Sequence, residues 1–145
     1  VELSAVGSIT PNWNIGAGFT RMDARIESGN PEAQDGGDNL TYTPEHAFTS
    51  WTTYRLPFDL TIGGGARYTG GLKRGSDGAV GTPDHTRGYW VMDAMASYPI
   101  NQNLEVQLNV YNVFDKDYVA SINKSGYRYN PGIPRSALLT LNLRY

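Results

Sequence analysis

Residues 135–145, Arg-Ser-Ala-Leu-Leu-Thr-Leu-Asn-Leu-Arg-Tyr, leave few folds open. Ala137, Leu139, Leu141, Leu143 and Tyr145 share one face of an extended strand. Ser136, Thr140, Asn142 and Arg144 share the other, with Leu138 the single apolar intruder. A soluble sandwich can use such alternation with its apolar face on a core. An outer-membrane barrel uses it inverted, apolar side chains toward lipid and polar ones toward the lumen. An aromatic residue at the foot of the strand favours the second reading.

Composition removes several classes. No run approaches the ~18 apolar residues that a transmembrane helix requires, yet alternating strands average to a polar composition and so stay allowed. A formal net charge of −2 gives no basic field for nucleic acid. Cysteine is absent, which removes disulfides and thiolate metal sites. Seventeen glycines and ten tyrosines, with few helix-forming runs, tilt the chain toward β structure. It begins at Val1 without a signal peptide, as a mature chain or a fragment would.

Short turn signals recur at a nearly constant interval, at Thr10-Pro-Asn12, Pro57-Phe-Asp59 and Ile100-Asn-Gln-Asn103. Longer polar, Gly-rich stretches alternate with them: Ser28 to Pro44, Gly70 to Arg87 and Ser121 to Pro134. Short turns on one side and long loops on the other are the asymmetry of outer-membrane barrels. A soluble solenoid would need a repeated residue signature, and none is visible. Strands are expected over Glu2–Ile9, Trp13–Ile26, Ala47–Leu56, Leu60–Thr69, Tyr89–Pro99, Leu104–Phe114 and Arg135–Tyr145. In the sixth, Leu104, Val106, Leu108 and Val110 oppose Glu105, Gln107, Asn109 and Tyr111. In the fifth, Trp90, Met92, Ala94, Ala96 and Tyr98 oppose Asp93 and Ser97. Trp90 and Tyr98 lie roughly 26 Å apart along a strand, about 20 Å of height at a ~40° tilt. That approaches the ~25 Å apolar band whose rims carry aromatic girdles, which Trp13, Phe19 and Tyr54 could also serve. Seven is an awkward count, since single-chain bacterial barrels have even numbers of strands and an open sheet in lipid would leave two unpaired edges. Either Tyr127-Arg-Tyr129 supplies an eighth strand, or the chain is a piece of a larger wall; the second is the expectation.

Asn109-Val-Tyr-Asn-Val-Phe-Asp-Lys-Asp-Tyr118, then Pro131-Gly-Ile-Pro-Arg135 and a final alternating strand, resembles the C-terminus of TonB-dependent outer-membrane receptors. Trp51-Thr-Thr-Tyr-Arg-Leu-Pro57 and Gly63-Gly-Gly-Ala-Arg-Tyr68 look like preceding strands of the siderophore-receptor branch, most similar to catecholate receptors. The resemblance spans essentially the whole chain. It implies an all-β, antiparallel transmembrane barrel of 22 strands closed by a plug domain. Residues 1–145 would be its last seven strands, in the outer membrane of a Gram-negative bacterium. The partners it implies are ferric siderophore, outer-membrane lipid, the TonB complex acting through a plug segment absent here, and the remaining strands and plug. Iron would travel as ferric siderophore, with no resident cofactor or metal. Asn112, Phe114, Asp115, Gly132, Pro134, Arg135 and Tyr145 carry the family motif.

No catalytic constellation emerges, so no enzyme is expected. His46 and His85 sit near loops, and no Ser or Cys has a nucleophile-elbow context. Asp77-Gly78 and Asp84-His85 lack a recognisable cation-ligand spacing. Asp115 and Asp117 read as turn formers. Ferric catecholates are anionic and aromatic, so a site for them should combine cations with Tyr or Trp. Lys73, Arg74, Arg87, Tyr89 and Trp90 form one such cluster; Lys124, Tyr127, Arg128 and Tyr129 form a second. For either, solvated surface charge or lipopolysaccharide contact is the plainer alternative. Arg135 reads as an anchor at the entry to the last strand, while Arg67, Asp93, Glu105 and Arg144 face the lumen and suit wall or plug ion pairs. A small self-contained eight-stranded barrel and a soluble ligand-binding sandwich remain alternatives at this point.

Overall fold

The computed structural model describes residues 1–30, 33, 36–75, 81, 83–123 and 128–144. Among the described residues nine strands form: β1 Glu2–Thr10, β2 Trp13–Arg21, β3 His46–Arg55, β4 Thr61–Thr69, β5 Tyr89–Pro99, β6 Leu104–Tyr111, β7 Val119–Ile122, β8 Tyr129–Pro131 and β9 Ser136–Leu143. Seven make one antiparallel meander in the order β1-β2-β3-β4-β5-β6-β9; β7 and β8 pair only with each other.

Tight turns hold one end of the meander. Asp59 adopts a left-handed φ of 61° and its carboxylate pairs with Arg55 at 2.7 Å. The Asn101 side chain accepts from the N–H groups of Asn103 and Leu104, both at 2.9 Å. Such Asx contacts make Asn favourable in turns. At the opposite end the three long connections emerge, so the expected asymmetry is present.

Register decides what each face presents, since a one-residue slip would exchange every side chain between faces. Leu108 stands opposite both Ala96 and Leu139, and Val106 opposite both Tyr98 and Leu141. Ile62 faces Ala96 and Tyr54, and Tyr54 faces Trp13. One face of the meander is therefore largely apolar, with Ser50 and Thr52 of β3 the polar exceptions at mid-height. Phe19, Phe48, Tyr68 and Trp90 align at a single height near the long-loop end. The Trp90 ring lies 5.1 Å from that of Tyr68 and 5.7 Å from that of Phe48. Trp13 and Tyr54 pair near the tight-turn end. These are two aromatic rims bounding an apolar band, the arrangement that a bilayer selects. Phe48 was missing from the sequence expectation.

The opposite face carries Asn14, Thr49, Arg67, Asp93, Glu105, Gln107, Asn109, Thr140 and Asn142. Arg67 pairs with Asp93 at 3.4 Å, and Asn142 donates to Glu105 at 3.4 Å, as expected for a polar lumen wall. Trp51 is an exception, its ring lying where a side chain on Gly65 would stand. Among the described residues only Ala33, Leu72 and Val91 are buried apolar side chains. A soluble sandwich of this size would bury far more, so the apolar face has lipid rather than a core to cover it.

Two expected strand ends need correction, and the alternative of an eighth strand finds no support among the described residues. The second strand stops at Arg21, not Ile26, because Met22 bonds Glu45 and residues 24–26 then pair with 38–40 inside the loop. The sixth stops at Tyr111, not Phe114, where Asn112 turns to a φ of 50°. Tyr129 does enter a strand, but in the separate β7–β8 hairpin, so among the described residues no eighth strand joins the wall. The outer edges of β1 and β9 lack partners in this sheet. Each unsatisfied backbone group in hydrocarbon costs several kcal/mol, so this wall is stable only with further strands beside it.

Candidate functional site

At the long-loop end, on the polar side, a groove of about 830 Å³ opens between the connection preceding β5 and the connection following β6. Arg74, Arg87 and Tyr89 line it from one side; Lys116, Tyr118 and Tyr129 line it from the other. Tyr89 and Tyr118 stack with ring centroids 4.2 Å apart and planes 29° from parallel. Arg74 is buried, its Nε donating to the Pro83 carbonyl at 3.1 Å. Cations beside stacked phenols suit an anionic ligand bearing aromatic rings. Asp84, also in this loop region, is held below the usual carboxylate range by its 2.6 Å contact with His85.

The two clusters expected from the sequence are thus partly merged. Arg74, Arg87 and Tyr89 of the first meet Tyr129 of the second in one groove. Lys73 lines a separate pocket of about 240 Å³ with His46 and His85. Trp90 is a correction: strand alternation turns it to the lipid face, against Phe48 and Tyr68. Arg128 exchanges backbone and side-chain bonds with Asn123 and does not line the groove. Lys124 and Tyr127 lie outside the described residues, as does Tyr145. Lys116 and Tyr118 were not singled out, although both belong to the quoted Asn109–Tyr118 motif. Their signal was distance along the chain: each lies only a few residues past the end of β6.

A polar clip fixes this side of the groove. Asn112, 2% exposed, donates from Nδ2 to the carbonyls of Lys116 and Ile133, both at 3.0 Å, and accepts from the Lys116 N–H at 2.8 Å. Asp115, at a φ of 51°, accepts the Arg135 N–H at 2.8 Å. The N–H of Gly132 donates to the Tyr118 carbonyl at 2.7 Å, and a methyl at position 132 would overlap the Tyr118 ring. Arg135 therefore anchors the entry to β9 through its backbone. Pro134 stands between Arg135 and Ile133, and Phe114 is 73% exposed. Asp115 acts as the expected turn former; Asp117 lines the groove instead.

An all-β wall with one lipid face, one polar face and an outer groove defines a membrane barrel segment. Residues 1–113 match the family described as TonB dependent receptor-like, beta-barrel, and the chain belongs to that family of outer-membrane receptors. It is 58% identical, over 99% of its length, to the catecholate siderophore receptor Fiu of Escherichia coli K12, and 39% identical to the probable TonB-dependent receptor BfrD of Bordetella pertussis. It spans about a fifth of each of those relatives, 19% and 20%. The closed-form crystal structure of the ferric-catecholate import receptor Fiu superposes on 99% of the chain, and the chain on 20% of it, with a TM-score of 0.95. The siderophore receptor PiuA of Acinetobacter baumannii, 35% identical, gives 0.78 with coverage of 99% and 21%.

Proposed function

We propose that the chain is the C-terminal part of the barrel of a receptor that imports ferric siderophore of the catecholate type. Uptake would be driven by the TonB complex through a plug outside these residues. The iron is cargo, held by the siderophore rather than by protein ligands. The observation that carries this reading is the groove: Arg87 and Lys116 flank the stacked Tyr89 and Tyr118 at the loop end of a lumen wall. Charge-assisted bonds to a catecholate oxygen and ring contacts with the catechol would act together there. The 58% identity to a catecholate receptor supports the same ligand class.

The test is titration of ferric catecholate into the purified full-length receptor. Arg87→Ala and Lys116→Ala should each weaken binding by about 10- to 150-fold, the equivalent of about 1.5–3 kcal/mol for a bond to a charged group. Parental affinity in the double variant, or no binding of ferric catecholate by the parent, would refute the proposal.

A further inference from the structure

We infer that Asp93 is a positioning residue for the groove, seating the Lys116–Tyr118 segment from a place in the wall four residues below Tyr89. Strands β5 and β6 pair residue for residue through Ala94 opposite Val110. On that register Met92 would face Asn112, yet the Met92 carbonyl accepts from the N–H of Val113 at 2.8 Å. The β6 side therefore carries one extra residue, a bulge, and a bulge leaves one N–H without a ladder partner. That N–H belongs to Asn112, a buried residue, and the Oδ1 of Asp93 accepts it at 2.9 Å.

Beyond the bulge the chain leaves the strand, with left-handed φ at Asn112 and Asp115, and Tyr118 comes to stack on Tyr89. From Asn112 the hold passes to Lys116 and Ile133 through its amide, and from Asp115 to Arg135. The other Asp93 oxygen lies 3.4 Å from Arg67, whose side chain is 55% exposed. Seating accordingly depends on the acceptor oxygen rather than on the ion pair.

The experiment uses the full-length receptor with Tyr89→Cys and Tyr118→Cys and a short bismaleimide crosslinker; residues 1–145 contain no cysteine of their own. Asp93→Ala should slow crosslinking at least tenfold while the barrel keeps its heat-modifiable migration. Asp93→Asn, which retains an acceptor oxygen, and Arg67→Gln should both crosslink within threefold of the parent. Parental crosslinking in Asp93→Ala overturns the inference. So does tenfold slowing in Asp93→Asn or Arg67→Gln, which decides the matter even if Asp93→Ala fails to assemble. A parallel titration of ferric catecholate into the Asp93 variants, with both tyrosines intact, rests on the proposed function. Slowed crosslinking with undiminished affinity would sink the ligand assignment and leave the positioning role standing.

Discussion

Gly132→Ala separates the groove from the wall. The new methyl would occupy space held by the Tyr118 ring, so the ring or the 132 backbone must move. Moving the ring disrupts its 4.2 Å stack on Tyr89, worth about 0.5–1.5 kcal/mol beyond area burial. Moving the backbone strains the 2.7 Å bond from the Gly132 N–H to the Tyr118 carbonyl, worth about 0.5–1.5 kcal/mol net. Whichever gives way, seating of the loop weakens by about 0.5–1.5 kcal/mol, and 1.4 kcal/mol is tenfold in a local equilibrium. Native-state hydrogen exchange on the full-length receptor reads this directly, since local opening sets the exchange rate there. Amides of Val119–Ile122 should exchange about 2- to 13-fold faster, with those of the seven wall strands unchanged. Unaltered exchange in the hairpin would refute the packing argument. Equal acceleration in the wall would show that the loop and barrel are one cooperative unit.

Two other perturbations probe different parts of the molecule. Leu139→Arg puts a guanidinium on the lipid face midway along β9 and should destabilise the assembled receptor by about 2–4 kcal/mol, whereas Thr140→Arg, facing the lumen, should cost about 1 kcal/mol or less. Denaturant unfolding in lipid vesicles measures both, and equal losses would contradict the facing. In the loop after β2, Arg25 hydrogen-bonds the exposed Asp23 at 2.8 Å and holds its carboxyl below the ordinary range. A lowered folded-state value means that the contact is intact above the unfolded carboxylate range, near pH 4, and is lost as pH falls through the lower folded value. The effect of Asp23→Asn on exchange at Met22–Ile26 and Asp38–Leu40 should thus be constant from pH 5 to 8 and fade as pH falls below about 4; an effect confined to neutral pH would contradict that sign.

The wall was legible because a two-residue period survives in most strands from Leu3 to Leu143, with β3, carrying Ser50, Trp51 and Thr52, the exception. The tight turns were legible from Pro, Asn and Asp. The strand ends were harder. Ile26 continues the apolar pattern of β2, but by then its chain has left the sheet to pair within its own loop. Phe114 likewise extends β6 on paper, and only the left-handed turn at Asn112 shows where the strand ends. The groove was half visible for the same reason. Arg87 and Tyr89 lie directly at a strand entry, so charge and ring type picked them out. Lys116 and Tyr118 reach the site past the left-handed turns at Asn112 and Asp115, which no periodicity announces. Trp90 was assigned to two roles at once, and alternation settles it for the lipid side.

The proposed function requires the apolar face of the wall to look outward to lipid. Nitroxide labels at Leu141 and Asn142 of the full-length protein, reconstituted in bilayers, test it most directly by collision with oxygen and with a water-soluble nickel chelate. The label at Leu141 should collide chiefly with oxygen and that at Asn142 chiefly with nickel. The reverse pattern, or two labels equally shielded from both reagents, would contradict a lipid-facing apolar wall.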